Sequence, residues 1–346
     1  MRAASTALAC TALAGLVQLA AAAGVNYWPV QILQGPNLTQ AFNWETGGGW
    51  DNGGIPLYVS QIEARRNYMF QVKTDGDQST VYKVDTTAHQ SPYRKSTRLS
   101  SKQNFYSGGL FVFDVAHIPV GLWPALWMVG LPDWPNAGEI DIIEGVHMTT
   151  KNTQSFHTGP NCTMQSTGFT NTFTLDSDLK YNCTLATEVL FCPVSGAPFN
   201  LRGGGVFVVQ WNTTGIAMYQ FPRSSIPQDI SSGNPNGLGW GTPTAYLANT
   251  QCDIMQNFHA MKIVINTNLC GVWAGNVWDQ DLWYAGSSGT AAAKTRVATC
   301  DQYVQTGGFY ALKEAYWTIN SIKIYNSTDP GLATPAPPNG TWVPVN

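Results

Sequence analysis

Short apolar runs alternate with polar positions along most of the chain, and they predict β-strands. The clearest are "GLFVFDVAHI" (109–118), "EIDIIEGV" (139–146) and "YWTINSIKIY" (316–325). Side chains of a strand alternate between its two faces, so such runs of Val, Ile, Phe, Tyr and Trp are typical of half-buried strands. Runs with the helical period of 3.6 residues are scarce, and "SIPQDI" (225–230) suits a single helical turn. The pattern predicts an all-β sandwich or jelly roll.

The chain divides into three predicted segments. Residues 1–23 read as a secretory signal peptide, because Arg2 precedes an apolar run that ends in alanines. Residues 24–327 carry the strand pattern without a linker, and all-β sandwiches often run this long as one domain. Residues 328–346 form a Pro-rich tail. No later stretch reaches 18 apolar residues, so we expect no membrane span. Together with the signal peptide, this predicts a secreted, extracellular protein. We also expect it to be a monomer.

Charge is low for a chain of 346 residues. Charged residues make up 11% and the formal net charge is −3, whereas a typical domain is about 25% charged. This balance argues against nucleic acid or another polyanion as partner. Aromatic residues make up 12%, including 13 Trp. They suit either an aromatic-rich β core or a neutral, flat-faced partner such as a sugar polymer.

Cysteines and sequons agree with export. Six cysteines remain after the signal peptide: Cys162, Cys183, Cys192, Cys252, Cys270 and Cys300. Disulfides are favoured over a metal site because no C-x-x-C pair occurs. Three cysteines lie in each of two clusters, so full pairing requires at least one bond between the clusters. Sequons for N-glycosylation lie at six positions: Asn37, Asn161, Asn182, Asn212, Asn326 and Asn339.

Three carboxylates fall within "GEIDIIEG" (138–145), on an otherwise apolar run. Glu139 and Asp141 share a strand face, and Glu144 joins them only if a β-bulge inserts one residue. We favour the bulge because Ile140 and Ile142 then pack into the core on a strand face that carries no acid. Two carboxyls about 5 Å apart would suit a retaining glycosidase, and one proton should be shared among the three acids. A calcium site and a solvated acidic stripe are the alternatives, and we nominate no metal site.

The motif resembles the signature of glycoside hydrolase family 16, in its laminarinase-type form with one extra residue before the second Glu. The resemblance extends over about residues 25 to 327. It includes "GLFVFDVAHIPVGLWPALWMVG", "SFHTGPNCT" and "INTNLCGVWAG", in the order seen in secreted fungal endo-β-1,3(4)-glucanases. It implies a curved, concanavalin A-like jelly-roll sandwich with a substrate cleft on the concave face.

The resemblance also implies roles for individual residues. Glu139 would be the nucleophile and Glu144 the general acid/base, and Asp141 would hydrogen-bond to the nucleophile. The predicted substrate-binding residues are Trp123, Trp127, Trp134, His157, Arg98 and Trp273. The tryptophans are expected to stack on glucose rings, with core packing as the alternative. A structural role is the alternative for His157, and a structural salt bridge for Arg98.

Three functions are compatible with these residues. The first is a retaining endo-hydrolase acting on β-1,3-glucan and mixed β-1,3/1,4-glucan, with no cofactor. The second is a cell-wall glucan transglycosylase that uses the same covalent intermediate. Relatives of that kind usually lack the inserted residue, so Ile143 favours hydrolysis. The third is a non-catalytic glucan-binding lectin, which would normally have lost one of the acids.

Overall fold

The computed structural model describes residues 25–48, 52–74, 76, 78–89, 92–149, 152–175, 183–187, 198–281 and 289–327. The predicted signal peptide and the Pro-rich tail lie outside these ranges, as do Cys192, Asn182 and Asn339. The domain boundaries therefore stay a prediction.

Nineteen strands occupy the described residues. In chain order they are β1 (Tyr27–Leu33), β2 (Phe42–Trp44), β3 (Gly47–Gly48), β4 (Pro56–Tyr58), β5 (Phe70–Val72), β6 (Thr80–Lys83), β7 (Arg94–Ser96), β8 (Arg98–Ser101), β9 (Gly109–His117), β10 (Trp123–Gly130), β11 (Glu139–Glu144), β12 (Asn152–His157), β13 (Thr172–Leu175), β14 (Cys183–Thr187), β15 (Gly205–Asn212), β16 (Gly215–Pro222), β17 (Ala245–Ala248), β18 (Met261–Asn268) and β19 (Tyr316–Ser327).

The strands form two large antiparallel sheets and one small sheet. The first large sheet has the order β17-β16-β15-β9-β19-β6-β5, and β1 also pairs with β19. The second has the order β13-β14-β12-β11-β10-β18-β8-β2. The small sheet contains β3, β4 and β7. Sequence neighbours are often separated within a sheet, as in a jelly roll, so the predicted all-β jelly-roll sandwich is confirmed.

Alternation along the strands builds the core between the two large sheets. Ile140 and Ile142 of β11 have no exposed surface, and they belong to one buried cluster with Phe113 of β9 and Trp211 of β15. Each strand therefore turns alternate side chains towards the opposite sheet, as packed sheets require. The other face of β11 is left free to carry its acids.

Helices are short and lie in the connections. In chain order they are α1 (Pro36–Gln40), α2 (Gln61–Arg66), α3 (Pro198–Leu201), α4 (Gln228–Ser231), α5 (Ile254–Asn257), α6 (Gly271–Ala274), α7 (Ala291–Thr295), α8 (Cys300–Thr306) and α9 (Phe309–Leu312), and a 3₁₀ turn spans Arg223–Ser225. The helical turn predicted within "SIPQDI" is α4, which starts three residues later than the run. Residues around α6 to α9 form a second small core that includes Trp278 and Val304.

Two disulfides join four of the six cysteines. Cys162 is bonded to Cys252 and Cys270 to Cys300. The first bond links the two cysteine clusters, as predicted. Cys183 lies in β14, whereas Cys192 is outside the described residues, so the pairing of all six stays a prediction.

The sequons differ in accessibility. Asn37 and Asn161 are exposed, and Asn326 is half-buried. Asn212 is buried, and its Oδ1 accepts hydrogen bonds from the backbone N–H groups of Thr214 and Gly215. A glycan is attached through Nδ2, so these bonds to Oδ1 do not exclude glycosylation of Asn212. Asn212 therefore stays among the predicted glycosylation sites.

Candidate active site

A β-bulge lies in β11, where the sequence predicts it. On β10, Trp127 pairs with Asp141 and the next partner, Leu126, pairs with Ile143. Ile142 consequently has no partner on β10, which is the signature of one extra residue in a strand. Both Ile142 and Ile143 are buried. The extra residue returns Glu144 to the face that carries Glu139 and Asp141.

Cross-strand pairing confirms that the three acids share this face. Ala125, Trp127 and Val129 of β10 stand opposite Glu144, Asp141 and Glu139 respectively. These β10 residues are two positions apart, so their side chains point to one side.

Two indoles hold the outer carboxylates. Trp134 Nε1 donates a hydrogen bond to Glu139 Oε2 at 2.7 Å. Trp123 Nε1 donates to Glu144 Oε1 at 2.8 Å. Trp134 comes from the loop between β10 and β11, and Trp123 begins β10. Each glutamate thus has its own donor, which fixes the direction of its carboxyl group.

His157 supplies the positive charge of the site. It pairs with Glu139 across β11 and β12. Its Nε2 lies 3.1 Å from Asp141 Oδ2 and 3.8 Å from Glu139 Oε1. Burial alone would lower the pKa of His157, but the hydrogen bond to Asp141 and the nearby carboxylates raise the pKa to about 10. The ring is therefore an imidazolium at neutral pH.

Both glutamates hold protons more tightly than usual. Burial raises the pKa of Glu139, and the Asp141 charge raises it further, while His157 opposes both effects. Burial and the Asp141 charge likewise raise the pKa of Glu144. Like charges in a confined site cannot all ionise cheaply, so the glutamates share a proton near neutral pH. One can then act as an acid while the other is ionised.

The same groups have the spacing of metal ligands. One donor atom each from Glu139, Asp141 and His157 lies within 4.8 Å of the others. An imidazolium has no free lone pair on Nε2, however, and a ligating histidine must be neutral. The 3.1 Å contact between His157 Nε2 and Asp141 Oδ2 is that of an ion pair in which the imidazole carries the proton.

A second group of residues supports Trp127 beside the acids. Its Nε1 donates to Asn266 Oδ1 at 2.7 Å, and the Arg98 guanidinium lies 5.1 Å from its ring centre. Arg98 Nε is bonded to Glu45 Oε2 at 2.7 Å. The geometry therefore favours the structural salt bridge for Arg98, which braces the Trp127 ring by a cation–π contact.

The predicted aromatic residues differ in their access to a ligand. Trp134 is 48% exposed, and Trp127 is half-buried, so both can present ring surface to a sugar. Trp123 is 9% exposed, and the half-buried Trp273 packs edge-on against it at 5.6 Å. Trp123 thus supports Glu144, and the sugar-binding roles of Trp123 and Trp273 stay predictions.

Two asparagines of the site do not figure in the sequence prediction. Asn266 interrupts the apolar residues of β18, and a polar residue within such a run indicates a buried side chain with a specific hydrogen-bond partner. Asn152 bonds the backbone of β11, but at the start of a strand it reads as an ordinary turn residue.

The chain is similar to known proteins over most of its length. The model of an XgeA-like, catalytic GH16 domain matches residues 42–325. The chain is 36% identical to a probable endo-1,3(4)-beta-glucanase of Neosartorya fischeri, over 98% of this chain and 52% of that protein. It is 34% identical to an endo-1,3(4)-beta-glucanase of Emericella nidulans, over 88% of this chain and 48% of that protein. The chain thus spans about half the length of these curated relatives.

Solved structures are also similar. GH16 Laminarinase 16A from Phanerochaete chrysosporium, which holds beta-glucans in both donor and acceptor sites, superposes with a TM-score of 0.74 at 32% identity. The match covers 87% of this chain and all of that one. An elongating GH family 16 beta-1,3-glucosyltransferase superposes with a TM-score of 0.75 at 34% identity, over 87% of this chain and all of that one.

Proposed function

We propose a function on the premise that this chain belongs to glycoside hydrolase family 16, whose catalytic-domain model matches residues 42–325. The chain is a retaining endo-glycosidase that cleaves β-1,3-glucan and mixed β-1,3/1,4-glucan. One observation carries this proposal. The bulge in β11 brings Glu139 and Glu144 to one face, and a separate indole orients each carboxyl group.

The first half of the reaction forms a covalent intermediate. The ionised Glu139 attacks the anomeric carbon, while the protonated Glu144 gives its proton to the departing glycosidic oxygen. The C–O bond of the substrate breaks as the glycosyl–carboxylate bond forms. The raised pKa of Glu144 keeps this acid protonated where an ordinary glutamate is ionised.

The second half returns the enzyme to its starting state. Glu144, now a carboxylate, takes a proton from water, and the hydroxide oxygen displaces Glu139 from the anomeric carbon. Two displacements on the same carbon leave its configuration unchanged. The net charge of the site stays constant because one glutamate is ionised before and after each step, and the imidazolium of His157 lies beside Asp141 and Glu139 throughout.

The site suits a neutral polysaccharide. Trp127 and Trp134 offer ring faces next to the acids, and flat rings stack on the apolar faces of glucose units. The low charge of the chain (11% charged residues) fits a substrate without ionic groups. The relatives are named endo-1,3(4)-beta-glucanases, which supports this substrate class.

Transglycosylation is the second candidate, and it differs only in the second step. A sugar hydroxyl would replace water as the acceptor of the glycosyl group. The similarity to the beta-1,3-glucosyltransferase favours this candidate, whereas the inserted Ile143 and the glucanase relatives favour hydrolysis. A lectin is the least supported, because all three acids are kept and held in place.

Secretion is part of the proposal. The alanine-rich N-terminus, the two disulfides and the exposed sequons at Asn37 and Asn161 suit an oxidising extracellular environment. In the part of the chain that the structure describes, no helix is long and apolar enough to cross a membrane. We propose a secreted glycoprotein that acts as a monomer.

Product analysis tests the catalytic proposal. Laminarin, lichenan and cellulose are incubated in parallel, and oligosaccharides and their anomers are followed by NMR from the first turnovers. We expect short oligosaccharides from laminarin and lichenan, with the β-anomer formed first. Products longer than the substrate would indicate transglycosylation. An initial α-anomer would contradict the double displacement, and binding without any product would indicate a lectin.

A further inference from the structure

Asn152 places its side chain against the bulge in β11. It is the first residue of β12, and it is 1% exposed. Its Oδ1 accepts a hydrogen bond from the backbone N–H of Glu144 at 2.9 Å. Its Nδ2 donates to the backbone carbonyl of Ile142, also at 2.9 Å. One side chain thus bonds the backbone on both sides of Ile143.

These two bonds replace part of the interrupted ladder between β11 and β12. Residue pairs on these strands are Glu139 with His157, Ile140 with Phe156 and Asp141 with Ser155, and the pairing ends where the bulge begins. A bulge leaves backbone groups without their regular partners, and such groups are costly when buried. The amide of Asn152 has one acceptor and two donors, so it substitutes for a peptide group.

We infer that Asn152 is a positioning residue, which fixes the bulge and thereby aims the Glu144 side chain at the leaving oxygen. The inference rests on the proposed double displacement. Glu144 receives one restraint from Asn152 at its backbone and another from Trp123 at its carboxyl group. Losing the backbone restraint lets the bulge relax, so that the acid no longer meets the oxygen that it must protonate.

A misplaced acid makes a specific kinetic prediction. Glucan has a poor leaving group that needs a proton, whereas 2,4-dinitrophenolate leaves without one. We expect Asn152→Ala to lower kcat on laminarin by about 100-fold, within the range of a general acid, with little change in KM. The rate of the first-turnover burst of dinitrophenol from a 2,4-dinitrophenyl β-laminarioligosaccharide should fall by less than about fivefold, because bond cleavage with this leaving group does not need the acid and precedes the water step in which Glu144 is the base.

A matched control separates this effect from loss of any buried amide. Asn171 is also buried, and its Nδ2 donates to Gln154 Oε1 at 3.0 Å. Asn171→Ala should change the rates on laminarin and on the activated substrate by the same factor. Asn152→Asp keeps the size and the acceptor for the Glu144 N–H but has no donor for the Ile142 carbonyl. Asn152→Asp should likewise lose activity on laminarin but not on the activated substrate. If Asn152→Ala does not fold, Asn152→Asp tests the positioning role in its place.

Two results would overturn the inference. One is an equal loss on laminarin and the activated substrate, and the other is unchanged activity on both. A wild-type protein that is inactive on both substrates would instead contradict the proposed function, and with it the role of Asn152. Circular dichroism and thermal melting of each variant, measured alongside, establish that the compared proteins are folded.

Discussion

Replacing His157 with Gln should change the pH dependence of the enzyme. The substitution removes a positive charge that lies 3.1 Å from Asp141 and 3.8 Å from Glu139. An opposite charge within about 4–6 Å typically lowers a carboxyl pKa by about 1–3 units. Without it, the carboxyl pKa values rise, and the nucleophile stays protonated to higher pH.

The size of the effect follows from the ionised fraction of the nucleophile. Each unit of pKa reduces that fraction about tenfold at a pH below the pKa. We therefore expect the acid limb of kcat/KM on laminarin to move upward by about one to two pH units. Activity lost at acid pH should be partly recovered at higher pH. The limb reports the free enzyme, and its apparent pKa belongs to the coupled acids as a group.

Stability gives an independent measure of the same charge. The folded pKa of His157 is about 10, against an ordinary value of 6.5. A raised pKa means that the folded state binds the proton more tightly, so this stabilisation is full below about pH 6.5 and is lost as pH rises through about 10. The difference in unfolding free energy between wild type and His157→Gln should shrink over that window.

This test has a matched control and one outcome that would contradict it. His259 is exposed, and His259→Gln should leave the pH–rate profile unchanged. If His157→Gln lowered activity uniformly at all pH values, with an unmoved acid limb, the charge argument would be wrong. His157 would then act by packing or by contact with the sugar.

Three further predictions concern the site and its support. Glu139→Gln and Glu144→Gln should each lower laminarin hydrolysis by at least about 100-fold while the melting temperature holds, and residual activity above about a tenth would refute the assigned role. Trp123→Phe removes a bond that lowers the pKa of Glu144, so the basic limb of kcat should move to higher pH; an unmoved limb would show that the bond is unimportant. Replacing Cys162 and Cys252 together opens a link across 90 residues, and denaturant titration should show a loss of about 4.6 kcal/mol in unfolding free energy; a loss below about 1 kcal/mol would contradict that loop-closure argument.

Local pattern explains which parts of the fold and site were predictable. Alternation along β11 placed Ile140 and Ile142 in the core, and the odd spacing between Glu139 and Glu144 indicated the bulge. Both signals lie within six residues, where strand geometry alone applies.

Contacts between distant parts of the chain were not predictable in this way. Trp127 is held by Asn266, 139 residues away, because β10 pairs with β18. Likewise, the partner of Arg98 is Glu45, 53 residues away. Strand order decides such contacts, and one sequence does not specify strand order. The sequence therefore left Arg98 open between a sugar ligand and an ion pair.

The low overall charge now has a structural consequence at the site. Arg98 is neutralised by Glu45 at 2.7 Å, so His157 is the cation in closest contact with the acids among the residues described. Few distant charges then compete with the groups that surround each glutamate. Burial, Asp141, His157 and the two indole hydrogen bonds consequently set how readily Glu139 and Glu144 release a proton. In a highly charged protein, the same acids would also respond to surface charge and to salt. Here the pH profile should change little between low and moderate ionic strength, because the pairs that determine it are buried and short.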